Sequence, residues 1–496
     1  MKDSLFQKKI YREVGLGNGS ILINAAAGSG KTTTILKSLK FTKSRTDKVF
    51  LAFNNSIVDE LKEKIKDRNI KVSTMHSLCW SSLMRHYNFK VKLDKSKTNS
   101  HINKFLKKSK IEQKKYGFVT YNSSKILDLI RLNLIDVDDK EVVENLANFH
   151  DLEFDDEIYD IVKKSLVSMN KDKKVFDFTD MIYRAIIDNV KIPRFDFVYV
   201  DECQDLSMVQ HEVIKRVVKK NGRVIAVGDP RQAIYGFAGA DSSSFNNLKN
   251  ITEKVIELPL NENYRCGKEI IKRAQKINPN IIAFKGSING LVEDDSDISL
   301  IESGDWVICR NVKPLVFLNM YLTLKGKKSF IKGRDIGFGL ENYIKKLNCS
   351  SLDSLEKKFE SEILSECSKL KKKGVKNPMK TEKIDKMSQR YDMVRVLSEN
   401  CLSIKDLLSH IRSVFKDEGD GICLTTIHKS KGLENRRIFF LAPELIPNRF
   451  AVMDWQLVQE QNLEYVGITR AKEELHFIPE HKYEKIEKFI KKKIEK

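Results

Sequence analysis

The stretch ILINAAAGSGKTTTILKSL, residues 21–39, constrains this fold more than any other. An apolar run leads into a glycine-bearing turn and then into a helical pattern. Strand, tight loop and helix in that order begin a parallel α/β layer, because each parallel strand is covered by its crossover helix. Within AAAGSGKT (25–32), Gly28 and Gly30 let the backbone bend until several N–H groups converge. The helix N-terminus adds partial positive charge. Such a turn fits phosphates, with Lys31 reaching the β and γ phosphates and the Thr32 hydroxyl available to Mg²⁺. The strict pattern has glycine at the first position, where this chain has Ala25. The expected nucleotide cradle is Ala25, Ala26, Ala27, Gly28, Ser29, Gly30, Lys31, Thr32 and Thr33.

The same alternation recurs. KVFLAF (48–53), FDFVYV (195–200), RVIAVGD (223–229) and GICLTTI (421–427) read as further buried strands, and SIVDELKEKI (56–65) as a helix. One of these runs ends in two adjacent acids, FVYVDECQD (197–205). Asp201 falls at the carboxyl end of a parallel strand, where ligands of such sheets gather. It can hold Mg²⁺ together with Thr32, and Glu202 can orient or deprotonate a water. The duller reading is a solvated polar turn, and the phosphate loop upstream argues against it.

Length and charge narrow the rest. At 496 residues the chain exceeds one compact core, and two to four domains are expected. A net charge of +21 suits a polyanionic partner, though a lysine-favouring genome would also produce it. No apolar run reaches membrane-spanning length, and the first residues, MKDSLFQKKIYREVG, lack the apolar core of a secretory leader. The eight cysteines form no CxxC pair and read as free thiols of a reducing compartment. The expected setting is the cytoplasm, a host's if the chain is viral.

Residues 90–170 and 341–415 break the alternation: both are helical in period and highly charged. The expected organisation is therefore a first α/β domain from 1–89 and 171–264, interrupted by a helical insertion at 90–170. A second α/β domain from 265–340 and 416–496 is interrupted by a short insertion at 341–415. The basic runs at 104–115, 369–386 and 482–496 are solvated faces by default.

Three later segments suggest what the nucleotide is for. GDPRQAIYGFAGA (228–240) offers Gln232 to sense a γ-phosphate. LNENYRCG (260–267) carries Arg265 and YVGITRAKEEL (465–475) carries Arg470. Arginines far from the phosphate loop in sequence commonly stabilise transition-state charge, worth about 10³–10⁵ in rate.

The series AAAGSGKT, AFNNS, TMHSL, FDFTDM, VDECQD, GDPRQAIYGFAGA, NYR, TTIHKSKGLE and YVGITRAK resembles the UvrD/Rep/PcrA-type superfamily 1 DNA helicases. It spans residues 7 to about 475. The resemblance implies two RecA-like parallel-sheet domains with ATP between them and a helical insertion in each. It also implies ATP hydrolysis with Mg²⁺, driving 3′-to-5′ movement on single-stranded DNA and strand separation of tailed duplexes. Proteins of replication or repair are the implied partners, and a monomer or weak oligomer is expected.

Matched motif by motif, Gln7 reads the adenine edge and Tyr264 stacks on it. Gln232, Arg265 and Arg470 contact the γ-phosphate; Glu434 touches the ribose, with Gly432 allowing close approach. Phe53, Asn54, His76, Tyr235 and Phe237 line the DNA track. Each has a plainer alternative: a surface glutamine for Gln7, core aromatics for Phe53 and Phe237, a satisfied interior histidine for His76. Thr33, Phe237 and Ala238 depart from the family pattern, which has arginine, tryptophan and arginine there. The short 341–415 region opens an alternative use, displacing proteins from DNA with weak unwinding; a nucleic-acid-binding protein with a vestigial ATP site is the non-enzymatic alternative.

Overall fold

The computed structural model describes residues 3–494 except 44, 53, 54, 66, 68, 89, 90, 151, 237, 238, 240–242 and 373. The chain divides into two compact units, Met1–Glu262 and Asn263–Lys496. Each is built on an all-parallel sheet covered by helices, the α/β class expected of RecA-like domains.

In the first unit the strand order is Ile70–Thr74, Lys48–Ala52, Phe195–Val200, Val218–Gly228, Ser20–Ala25 and Val255–Leu260. Side chains alternate across this sheet. Leu22, Leu51, Val198 and Val200 enter one core with Leu78, Ile182 and Val213 from the covering helices. Ile21, Ile23, Phe50 and Tyr199 enter the core of the opposite face, with Ile10, Val14 and Ile35. This period of two, buried on both faces, explains why the strands read as continuous apolar runs. Because the strands are parallel, the turns after Ala25, Thr74, Val200 and Gly228 all open at one edge.

Four helices, Lys97–Leu106, Tyr116–Asn133, Lys140–Phe149 and Asp156–Lys171, form a layer with a core of their own. Its members include Ile102, Leu106, Ile126, Ile130, Val143, Val162 and Leu166. A two-stranded pairing of Lys92–Leu93 with Val175–Phe176 brings the entering and leaving chain together.

The second unit orders its strands Leu291–Glu293, Ala471–Ile478, Asn435–Leu441, Trp306–Cys309, Ile422–Thr426, Ser329–Lys332 and Phe415–Lys416, again all parallel. The described helical residues here share a core with the sheet. Leu355, Phe359, Leu397 and Ile411 pack in one cluster with sheet residues Val307, Leu424 and Phe439. Residue 341 lies inside the helix Arg334–Leu347, so the expected start of this insertion cuts an element. The strand Ser329–Lys332 gives way to this helix at Gly333, whose φ of +133° favours glycine.

Candidate active site

The phosphate loop leaves the strand at Ala25 and enters the helix Lys31–Ser38. Gly28 and Gly30 hold φ of +62° and +76°, which turns the loop back on itself. The Ser29 hydroxyl donates to the Ala26 carbonyl at 2.7 Å, and the Ala26 N–H donates to the Leu260 carbonyl at 3.0 Å. Ala25, Ala26, Ala27 and Ser29 are buried, and Thr33 is exposed.

The acids meet this loop. The Thr32 hydroxyl donates to Asp201 Oδ2 at 2.8 Å, and Lys31 Nζ lies 3.7 Å from Glu202 Oε1. The Glu202 N–H donates to Asp201 Oδ1 at 2.9 Å. Burial, then the neighbouring Glu202 charge, push the Asp201 carboxyl above its ordinary range. Glu202 holds φ of +52°, a conformation a non-glycine residue adopts at some cost and one that clusters at functional sites. A hydroxyl and a buried carboxylate side by side form an oxygen donor set of the kind Mg²⁺ takes.

A chain of contacts continues from Glu202. Gln204 Nε2 donates to Glu202 Oε2 at 2.5 Å, the Asp229 N–H donates to Gln204 Oε1 at 3.0 Å, and Gln232 Nε2 donates to Asp229 Oδ2 at 2.7 Å. Glu202, the expected base, and Gln232, the expected γ-phosphate sensor, are thus linked through two residues that sequence reasoning assigned no role, Gln204 and Asp229. Gly228 permits the approach, since a Cβ there would meet Gln204 Oε1 at 2.5 Å.

Gln7 is buried. It completes a capping box with Ser4, and its Nε2 donates to Thr34 Oγ1 at 3.0 Å. The amide therefore abuts the phosphate-loop helix.

Of the expected DNA-track residues, Phe53, Asn54 and Phe237 lie outside the described residues. His76 is half-buried at the start of the helix Met75–Tyr87, and burial lowers its pKa to about 4, so it is neutral at pH 7. Its ring lies 4.4 Å from that of Phe178, which is 57% exposed. Phe178 is an aromatic the sequence reading left without a role; the signal was its place in FDFTDM (176–181). Tyr235 is half-buried near Asp205 and Glu202, and burial chiefly pushes its hydroxyl up to about 12.

The second unit gathers its own expected residues. Arg265 pairs with Glu434, and its Nη1 donates to the Thr469 carbonyl at 3.0 Å. Arg470 is buried, donating from Nη1 to the Leu433 carbonyl at 2.9 Å and from Nε to the Val466 carbonyl at 2.9 Å. Lys472 Nζ also reaches Glu434, at 2.8 Å. The Tyr264 ring lies 5.1 Å from that of Phe284. Gly432 has a φ of +84°, and a Cβ there would meet nothing within 4 Å. Its glycine is thus required by conformation, with no crowding from this chain. His428, in the helix Ile427–Ser430, has a pKa lowered to about 3, by burial first and then by Arg310 and Lys431.

A phosphate loop facing paired acids at the carboxyl edge of a parallel sheet, in a chain with a second parallel α/β unit, defines the class of phosphate-loop nucleoside triphosphatases. Residues 6–253 match the UvrD/REP helicase N-terminal domain, and residues 334–482 match the UvrD-like helicase C-terminal domain. The chain belongs to the UvrD/REP helicase family.

Among similar proteins, the F-box DNA helicase protein 1 of Schizosaccharomyces pombe is 26% identical, over 95% of this chain and 56% of its own length. The ATP-dependent DNA helicase PcrA of Bacillus subtilis is 26% identical, over 53% of this chain and 38% of its own. The ATP-dependent DNA helicase Rep of Buchnera aphidicola is 22% identical, over 94% and 93%. The chain spans about half or less of the length of the first two. Among the described residues no helix is long and apolar enough to cross a membrane.

Proposed function

We propose that this protein is a DNA-dependent ATPase that moves 3′-to-5′ along single-stranded DNA and separates duplex strands. The observation that carries the reading is the joining of Thr32, Asp201, Glu202 and Lys31 at the phosphate loop, in a chain with the helicase family's domains.

In this reading the loop N–H groups and Lys31 hold the phosphates of ATP, and Gln7 and Tyr264 attend the base. Thr32 and Asp201 hold Mg²⁺, which when bound neutralises phosphate charge. Glu202 orients the attacking water and accepts its proton. Gln232, tied to Glu202 through Gln204 and Asp229, senses whether the γ-phosphate is present. Arg265 and Arg470 stabilise transition-state charge, and Glu434 attends the ribose. His76, Phe178 and Tyr235 form part of the DNA face, where stacking is worth about 1–3 kcal/mol per base and ignores sequence. Replication or repair proteins are its partners, the cytoplasm its setting, and a monomer or weak oligomer its working form.

A second reading, a translocase that mainly displaces proteins, is favoured by one observation. Among the described residues, the second unit's helices pack in one cluster with its sheet, where a duplex-engaging insertion would be expected to stand apart.

The test is ATPase rate with and without single-stranded oligonucleotides, followed by strand separation of duplexes bearing a 3′ or a 5′ tail. Stimulation with 3′-tail unwinding supports the first reading, and stimulation without unwinding supports the second. A rate indifferent to DNA overturns both.

A further inference from the structure

Arg131 has no exposed surface, although it carries a charge that no solvent can reach. Its Nη1 donates to both Asp177 oxygens at 2.8 Å and to Asp180 Oδ1 at 3.1 Å. Its Nη2 donates to Asp128 Oδ1 at 2.6 Å and to Thr98 Oγ1 at 3.2 Å. Lys97, with 1% of its side chain exposed, reaches Asp180 Oδ2 at 2.6 Å. The Thr98 hydroxyl donates to Asp177 Oδ2 at 2.7 Å.

The two cations and Thr98 stand on the helices Lys97–Leu106 and Tyr116–Asn133. The two buried acids, Asp177 and Asp180, flank Phe178 and Thr179. They also close on each other: the Asp180 N–H donates to Asp177 Oδ1 at 2.9 Å, and the Asp177 N–H to Asp180 Oδ2 at 3.2 Å. The result is a clamped turn with Phe178 at its exposed tip, its ring against His76. The Phe176 ring, one residue before the turn, meets Trp80 and Tyr87 edge-on, on the helix Met75–Tyr87 that also carries His76.

Buried ion pairs of this kind contribute little net stability over apolar packing of the same volume, because desolvation offsets their attraction. Apolar side chains would hold the turn against the four-helix layer as well. What paired charges add is a single register, since each donor has one place to go.

We propose that the Arg131–Lys97–Asp177–Asp180 cluster positions the His76–Phe178 ring pair for stacking on single-stranded nucleic acid, so that the four-helix layer sets the affinity of the DNA face. The proposal rests on the reading of that edge as the DNA face. These four are positioning residues: they act through Phe178.

The test is a cycle on the full chain, measuring the single-stranded DNA concentration for half-maximal ATPase stimulation, the maximal rate, and the KM for ATP. The double variant Lys97→Met with Asp180→Leu removes one buried pair together, so no charge is left alone. It is expected to stay folded, to raise the half-maximal DNA concentration about tenfold, and to leave the maximal rate and the KM for ATP unchanged. Adding Phe178→Ala to it is expected to cost far less than Phe178→Ala costs alone, since coupled residues are not additive. Should the double variant fail to fold, Asp128→Asn serves. Asp128 is 45% exposed at its side chain, gives Arg131 one contact, and predicts a shift in the same direction. Wild-type DNA dependence in these variants, with Phe178→Ala still weakening it, overturns the proposal. An unchanged DNA dependence in Phe178→Ala itself overturns the DNA-face reading, and the proposal with it.

Discussion

Glu202 shows how much a single residue carries. It sits at positive φ beside a buried aspartate, within 3.7 Å of Lys31, and it holds Gln204. In the role proposed for Glu202, Glu202→Gln keeps the shape and takes away the proton acceptor, so ATP binding should persist while turnover falls about 10²–10⁴-fold, the range of general-base catalysis. Nucleotide retention on a filter and steady-state ATPase check this, and near-wild-type turnover would refute the role. Lys31→Ala should bring hydrolysis to background while DNA binding, read by fluorescence anisotropy, survives. His76 and His428 belong at this scale too. Their folded pKa values, about 4 and about 3, lie below the ordinary 6.5 because desolvation disfavours the charged ring, helped at His428 by the Arg310 and Lys431 charges. Between pH 6.5 and 4 the unfolded chain therefore binds protons that the folded chain refuses. Stability should be full above pH 6.5 and fall as pH drops through that window. Urea unfolding at pH 7.5 and pH 5 checks it, and the difference should shrink in His428→Gln.

At the scale of elements, the local grammar was largely readable. FDFVYV was expected as a strand and is Phe195–Val200, and the phosphate-loop strand and helix are Ser20–Ala25 and Lys31–Ser38. These elements were legible because apolar runs and glycines report backbone geometry directly. The helices of 341–415 were legible as helices, but their burial with Val307 and Leu424 was not. Which core a helix joins is decided by neighbours distant in sequence. The clamp on Phe178 is the sharper case: Arg131 and Lys97 lie in a region legible only as helical and highly charged, and nothing local marks them as buried. Arg131→Ala would leave Asp177 and Asp180 short of a partner, and should cost about 3–5 kcal/mol of stability, as lost partners of buried ion pairs do. Denaturant unfolding measures it, and a loss below about 1 kcal/mol would show the cluster to be solvated.

At the scale of the whole molecule, a net charge of +21 implies binding that weakens with salt. If the chain meets four phosphates of a single strand, affinity should fall about 50-fold between 50 and 200 mM salt, from a slope of about −0.7 per contact. Anisotropy titrations at several salt concentrations give the slope, and a flat profile would rule out phosphate contacts. The sequence by itself determined the chemistry: the order strand, GSGKT, helix and the pair Asp201–Glu202 leave little else to do than hold a nucleotide, because those residue types at those spacings work through backbone turns a few residues long. Only the tertiary structure decided how that chemistry is wired. The path from Glu202 through Gln204 and Asp229 to Gln232, the pairing of Arg265 with Glu434, and the buried charges beneath Phe178 all join residues brought together by parallel strand order and helix packing. The Gln204–Asp229 and Arg265–Glu434 contacts leave no mark in either local sequence, because each partner stands on a different element and only packing brings the two together.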